Sequence, residues 1–84
     1  MFHIYILKSF KSDKIYIGVT NNLSKRVREH NAGVSQSTKP YIPWILVYYE
    51  TFRSAKDARD RELKLKHYGQ TFRRLKERLK ESLR

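Results

Sequence analysis

Two stretches near the amino terminus, Phe2-His3-Ile4-Tyr5-Ile6-Leu7 and Lys14-Ile15-Tyr16-Ile17-Gly18-Val19-Thr20, decide how this chain can fold. Both are rich in β-branched and aromatic residues, which favour strands. The segment between them, Lys8 to Asp13, consists mostly of polar residues that are common in turns. The two stretches therefore predict an antiparallel hairpin.

Each predicted strand carries one tyrosine, Tyr5 or Tyr16. If the turn has four residues, Ser9 to Ser12, the two tyrosines lie directly opposite each other. A slip of one residue would put the rings on opposite faces of the hairpin. Gly18 shares the face of Tyr16, and its missing side chain would leave space for a backbone phosphate. A glycine in a strand can equally mark a bulge.

The residues after the hairpin predict a helix, an ordered loop and a third strand. The helix can be capped at its amino end by a residue of Thr20 to Asn22, and it should end at Asn31 to Gly33. The loop runs from Val34 to Pro43, and the strand from Trp44 to Phe52. One face of the helix would carry Leu23, Arg26, Val27 and His30, and one side of the strand Trp44, Leu46, Tyr48 and Glu50.

Two further helices complete the chain. Ser54 opens the first, with Asp57 as its capping partner, and the second runs from Gln70 to Leu83. The order is ββαβαα, which predicts an α+β fold with a three-stranded antiparallel sheet flanked by three helices, in one domain over residues 1–84. The inner stripes are Ala55, Ala58, Glu62 and Leu65 in the first helix, and Phe72, Leu75, Leu79 and Leu83 in the second.

Composition restricts the class of protein. The 84 residues allow one thin core, since a chain this short buries only ~60% of its unfolded surface. Lys and Arg outnumber Asp and Glu by 19 to 8, a net charge of +11 that favours nucleic acid as the partner, with a solvated charge coat or an acidic membrane surface as the alternatives. The absence of cysteine excludes disulfides and thiolate metal sites. With no membrane-spanning run and no signal peptide at the amino terminus, we expect a cytoplasmic protein, with a monomer favoured.

Glu62 is the sharpest local anomaly, because a carboxylate stands where the helix stripe calls for an apolar residue. A buried charge is costly unless it is paired or binds a cation. A single carboxylate, together with waters and a phosphate oxygen, suits Mg²⁺. The alternative is that Glu62 pairs with Arg26, Arg59 or Lys66 at a partly hydrated edge.

Arg26 and His30 lie four residues apart and point the same way from their helix. Arginine suits bidentate phosphate contact and stabilises charge that develops on phosphoryl oxygens. Tyr5 or Tyr16 could act as a general base or orient water, provided that cations such as Arg26, Lys14 or a metal favour the phenolate. The alternative for all four side chains is ordinary packing or a solvated polar edge.

Further cations are candidate phosphate contacts that would not read sequence. They are Lys14 in the hairpin, Lys66 on the second helix, and Arg73 and Arg74 on the third.

Taken together, the order and spacing of these residues resemble the GIY-YIG nuclease domain family, and most closely its small single-domain bacterial members. The resemblance covers essentially the whole chain. It rests on Tyr5, on Tyr16-Ile17-Gly18, on Arg26 to Asn31 (Arg-x-x-x-His-Asn), on the strand Leu46 to Glu50, and on Ala58 to Glu62 (Ala-x-x-x-Glu).

The resemblance implies hydrolysis of phosphodiester bonds with one divalent metal, Mg²⁺ or Mn²⁺. It implies that Tyr16 or Tyr5 activates the water, that Arg26 stabilises the phosphoryl charge with help from His30, and that Glu62 holds the metal. The chain departs from the pattern at His3, where glycine is usual, and has no asparagine after Glu62.

We therefore expect a metal-dependent DNA endonuclease with little sequence specificity, and RNA remains open as a substrate. One rival is a catalytically idle nucleic-acid-binding module of the same fold. Another is a subunit whose basic helix docks an acidic protein.

Overall fold

The computed structural model describes residues 1–84 and has the predicted ββαβαα order and α+β fold. A single 3₁₀ turn precedes the third strand. None of the three helices combines the length and apolar character needed to cross a membrane. The strands are β1 (Phe2–Ser9), β2 (Ile15–Thr20) and β3 (Trp44–Phe52), and the helices are α1 (Leu23–Asn31), α2 (Ala55–His67) and α3 (Gly69–Arg78).

The sheet has the strand order β2-β1-β3, with both pairs antiparallel, so β1 is central and buried on both faces. Ile4 and Ile6 point to one face, where they pack with residues of α2 and α3. Tyr5 and Leu7 point to the other face, where they pack with Trp44 and with residues of α1. The central strand therefore joins two separate apolar clusters, and Tyr5 belongs to the smaller one.

The predicted hairpin register is wrong by two residues. Tyr5 pairs with Gly18, and Tyr16 pairs with Leu7, so the tyrosines are diagonal neighbours rather than direct opposites. They remain on one face, with ring centroids 6.0 Å apart. The turn is longer than predicted because the hydroxyl of Ser9 organises it.

The Ser9 hydroxyl makes three hydrogen bonds at this turn. Its Oγ accepts hydrogen bonds from the backbone N–H groups of Lys11 (3.0 Å) and Ser12 (3.1 Å). The same hydroxyl donates to the carbonyl of Tyr41 at 2.7 Å. The last bond ties the turn to the loop before β3, and a contact over such a separation leaves no local sequence signal.

The predicted face of β3 is also wrong over half its length. Ile6 pairs with Tyr48 and Leu7 pairs with Leu46, which leaves Val47 as an extra residue, a β-bulge. The bulge reverses the alternation along the strand. As a result Leu46 packs beside Tyr5, whereas Tyr48 packs with the cluster under α2 and α3.

The predicted helix starts are confirmed by their caps. Asn22 Oδ1 accepts the backbone N–H of Lys25 at 3.1 Å, and Ser54 Oγ accepts that of Asp57 at 3.3 Å. Gly33, at φ +80°, follows α1 in the left-handed conformation that glycine tolerates best. The helix α3 ends at Arg78 rather than at the predicted Leu83, and hydrogen-bonded turns follow it.

Gly18 is expected to be intolerant of a side chain, because an alanine Cβ there would lie 2.5 Å from Tyr5 Oη. Tyr5 is buried and hydrogen-bonded and cannot easily yield, so Gly18→Ala should destabilise the protein by about 1–3 kcal/mol. The matched control is Gly69→Ala, where nothing lies within 4 Å of the added Cβ. Thermal unfolding should show a clear decrease for the first variant only, and equal midpoints would contradict the packing described.

Candidate active site

A cleft of about 460 Å³ opens between the β1–β2 hairpin, α1 and α2. It brings together the hydroxyls of two tyrosines, the guanidinium groups of two arginines and one carboxylate. Five of the residues singled out in the sequence line it. The lining residues are Tyr5, Tyr16, Gly18, Val19, Arg26, Arg59, Glu62 and Leu63.

Behind the cleft, a buried chain of hydrogen bonds starts at Tyr5. Its Oη lies 2.9 Å from His30 Nε2, and His30 Nδ1 lies 2.9 Å from Thr38 Oγ1. The Thr38 hydroxyl donates its single proton to the carbonyl of Ser35 at 3.4 Å. Thr38 must therefore accept from Nδ1–H, which leaves Nε2 to accept the proton of Tyr5. All three hydrogen bonds then have one direction, from the sheet to the loop.

The pKa values of Tyr5 and His30 agree with this direction. Burial raises the pKa of Tyr5 to about 12, although the nearby Arg26 guanidinium and its positive charge oppose the increase. Burial also lowers the pKa of His30, and repulsion by Arg26 lowers it further. Both side chains are therefore neutral near pH 7. Of the cations predicted to favour a Tyr5 phenolate, Arg26 lowers the pKa but does not outweigh the effect of burial.

Tyr16 has a different environment from Tyr5. It is half-buried and lines the open cleft, whereas Tyr5 is 1% exposed. Its ring centroid lies 4.7 Å from that of His30. Its hydroxyl lies beside Tyr5 and the Arg26 guanidinium at the open cleft, where it can contact a water or a phosphate.

Arg26 enters the cleft from the middle of α1. Its Nη1 donates to Glu29 Oε1 at 3.2 Å, one turn along the same helix. This bond uses one of the five N–H donors of the guanidinium. The remaining donors lie near the Tyr5 and Tyr16 hydroxyls and can contact an anion in the cleft. Arg26 is not paired with Glu62.

Glu62 faces the cleft from α2, between the buried Ala58 and Leu65. Its side chain is 23% exposed, and its Oε2 lies 3.0 Å from Lys66 Nζ. The Lys66 pairing considered in the sequence analysis is therefore present. Oε1 has no such partner, so one carboxylate oxygen can still serve as a ligand.

The donor set fits a hard divalent cation such as Mg²⁺. Glu62 is the one carboxylate among the residues that line the cleft, which include no histidine, so it would be the sole charged protein ligand there. Mg²⁺ commonly keeps several waters and binds through one carboxylate together with phosphate oxygens. The cleft is open and holds Glu62 opposite the tyrosines, so water and a phosphate have room beside it.

Not all of the predicted contacts meet in the cleft. Lys66 lies at its edge, 6.0 Å from the Tyr16 ring centroid. Lys14 lies over the ring of Tyr41 at 5.5 Å, at the turn of the hairpin. Arg73 and Arg74 line two different grooves beside α3. These assignments remain predictions about a bound substrate.

The sequence analysis gave no active role to two residues that matter here. Arg59 lines the cleft beside Glu62, and its position three residues earlier on the same helix could have indicated this. Thr38 orients His30 from a loop, which no spacing rule would have found.

Comparison with known proteins identifies the family of the chain. The protein-family model described as the GIY-YIG catalytic domain matches residues 1–76 of the chain. A UPF0213 protein of Clostridium perfringens is 42% identical over 67 residues, covering 79% of this chain and 71% of that protein. A UPF0213 protein of Staphylococcus haemolyticus is 38% identical over 68 residues, covering 80% of this chain and 82% of that protein.

A UPF0213 protein of Haloquadratum walsbyi is 36% identical over 67 residues, covering 79% of this chain and 74% of that protein. The names of these relatives state no activity. No solved structure matches the chain. The family model spans residues 1–76 of the 84. The chain therefore belongs to the GIY-YIG nuclease domain family.

Proposed function

We propose that this protein is a divalent-metal-dependent endonuclease that hydrolyses DNA phosphodiester bonds with little sequence preference. The observation that carries the proposal is the convergence of Tyr5, Tyr16, Arg26 and Glu62 on one open cleft. Hydroxyls, guanidinium groups and a single carboxylate are the groups that hydrolysis of a phosphodiester calls for. Membership of the GIY-YIG family supports the same reaction class.

The two arginines supply the electrostatic part of the reaction. Arg26 enters from α1 and Arg59 from α2, so a phosphate in the cleft lies between two guanidinium groups. Negative charge grows on the phosphoryl oxygens as water attacks, and fixed cations stabilise that charge. Gly18 lines the cleft, but the space that its missing side chain leaves is filled by the Tyr5 ring and hydroxyl, so its role is to admit Tyr5 rather than the sugar–phosphate backbone.

In the proposed reaction the two tyrosines have different roles. Tyr5 is neutral and its hydroxyl donates a hydrogen bond to His30 Nε2, which holds the ring in place with the hydroxyl oxygen near Arg26. The Tyr16 hydroxyl lies at the open cleft beside Arg26, and it can accept a hydrogen bond from the attacking water and orient it. We therefore assign activation of the water to Tyr16, with Tyr5 and His30 as positioning residues.

Glu62 would hold Mg²⁺ or Mn²⁺ through its carboxylate, with Oε1 as the available oxygen. When bound, such an ion supplies charge stabilisation at the phosphate and lowers the pKa of a bound water. Lys66 neutralises part of the same carboxylate and must share it. This pairing is the observation that favours the rival function, a binding module without catalytic activity.

The net charge of +11 supports nucleic acid as the partner. Most of the cations are on exposed lysines and arginines, which contact phosphates and carry no sequence information. Low sequence preference follows from such contacts.

Glu62→Gln should remove metal-dependent cleavage and leave binding nearly intact. The change keeps the size of the side chain but removes the anionic ligand, and a loss of at least about a hundredfold in rate is expected. The control is Glu77→Gln, an exposed carboxylate on α3 outside the cleft. Supercoiled plasmid nicking and gel shifts measure the two properties. Cleavage by the Glu62 variant, or by the wild type with EDTA, would contradict the proposal.

Tyr16→Phe should lower the cleavage rate by about 10²–10⁴-fold, the range for a lost general acid–base group. Its ring packing on His30 is kept, so the unfolding midpoint should change little. Tyr68→Phe serves as control, because Tyr68 is 63% exposed and lies between α2 and α3. An unchanged rate in the Tyr16 variant would show that this tyrosine has only a packing role.

Stability should decrease in weakly acidic solution because of His30. The folded protein lowers the pKa of His30, so the unfolded chain takes up more protons as the pH falls below about 6.5. The free energy of unfolding should therefore fall over that range in urea titrations. His30→Gln should flatten this dependence, whereas His67→Gln, at an exposed position, should keep it. An undiminished dependence in the His30 variant would contradict the buried neutral imidazole.

A further inference from the structure

A second groove, of about 410 Å³, lies between α2 and α3. It shares no residue with the active-site cleft, although both use α2 as a wall. Arg59, Glu62 and Leu63 of α2 face the cleft, whereas Arg61 and Lys64 face the groove. The two openings therefore lie on opposite sides of one helix.

The groove is lined almost wholly by hydrogen-bond donors. Its lining consists of Arg61, Lys64, Thr71, Arg74, Leu75 and Arg78. No carboxylate lines the groove, and the hydroxyl of Thr71 is the only neutral polar side chain in it. Anions with several oxygens match such a set, particularly where arginine can make paired contacts.

One cation of the groove is already neutralised. Arg61 donates to the Glu50 carboxylate from Nε at 3.0 Å and from Nη2 at 2.8 Å. Burial alone would raise the pKa of Glu50, but the hydrogen bonds from Arg61 and Tyr48 lower it, and Arg78 adds to this effect. Glu50 is therefore ionised and committed to Arg61.

The other cations have no such partner. Lys64, Arg74 and Arg78 form no salt bridge, as is true of most of the 19 Lys and Arg residues, but these three lie together in one groove. Four cations against the one carboxylate of Glu50 leave a local charge of +3. Such a concentration of like charge in a groove attracts polyanions and is costly without them.

We propose that the α2–α3 groove binds a backbone phosphate of the nucleic acid at a distance from the bond being cut. The inference rests on the proposed function, because it assigns a second contact to the same substrate. A helix with its side chains is about 10–12 Å across, so phosphates on its two sides are at least that far apart. A substrate must therefore extend around α2, and short phosphodiesters should use the cleft alone.

The test compares two double variants that each remove two positive charges. Lys64→Gln/Arg74→Gln changes the groove, whereas the control Lys11→Gln/Lys39→Gln changes exposed lysines of the hairpin turn and the loop before β3. Binding of a labelled DNA duplex is measured by fluorescence anisotropy at several salt concentrations. Circular dichroism melts check that both variants fold.

The groove variant should bind at least about tenfold more weakly at low salt, and the slope of log K against log salt should fall by about 1–2, as for one or two lost phosphate contacts. The control should change much less in both quantities. Equal losses in the two variants would show only a general effect of charge and would overturn the proposal, as would an unchanged groove variant.

Two further arms separate this inference from the proposed function and from its rival ligand. Hydrolysis of a small chromogenic phosphodiester should be equal in the wild type and the groove variant, and a loss there would mean that the cleft itself had been disturbed. If the wild type never cleaves DNA but the groove variant still shows the smaller salt dependence of binding, the nuclease function is refuted and the groove proposal stands. Amide shifts at Thr71 with inorganic phosphate but not with DNA would assign the groove to a free anion and overturn the proposal.

Discussion

The hydrogen bond from the buried Tyr5 hydroxyl to His30 Nε2 is the constraint on which the site depends. Tyr5 sits on the central strand at 1% exposure, where an unpaired hydroxyl would cost about 1–3 kcal/mol. His30 satisfies it from α1, and Thr38 orients His30 from the following loop. The carbonyl of Thr38 in turn accepts the indole N–H of Trp44 at the start of β3. One polar network thus connects β1 and α1, which line the cleft, to the loop and the start of β3 behind them.

The helix α2 forms the other side of the cleft, and its opposite face lines the basic groove. The small side chain of Ala58 brings the helix against the sheet, so Glu62 reaches the cleft instead of solvent. The same helix turns Arg61 and Lys64 toward α3. The Glu62 carboxylate and the basic groove therefore lie on opposite sides of one helix. In the proposed function, chemistry belongs to one side and affinity to the other, so substitutions can test them separately.

Much of the fold could be predicted from sequence because its signals are local. Helix caps at Asn22 and Ser54 fixed the starts of α1 and α2, and helical spacing put Arg26 and His30 on one face. The same spacing placed Glu62 in the inner stripe. The ordered set of Tyr5, Tyr16, Arg26, His30 and Glu62 indicated the family, whose model match confirms it.

The errors in prediction came from contacts between distant segments. The hairpin register depends on a hydrogen bond from Ser9 to Tyr41, and the bulge at Val47 depends on pairing with β1. The end of α3 was misplaced because Leu83 packs on the core from a turn that continues the helical face. The directional network through Thr38 and the depth of Tyr5 likewise require coordinates.

The most direct test of the central claim is a Mn²⁺ titration of the ¹⁵N-labelled protein, followed by paramagnetic broadening of its amide signals. If the cleft binds the metal, broadening should centre on Glu62 and extend across to Gly18 and Arg26, and Glu62→Gln should abolish it. Broadening centred on the exposed Asp57 and Asp60 of α2, or its persistence in the Glu62 variant, would contradict a metal-assisted hydrolase at this site.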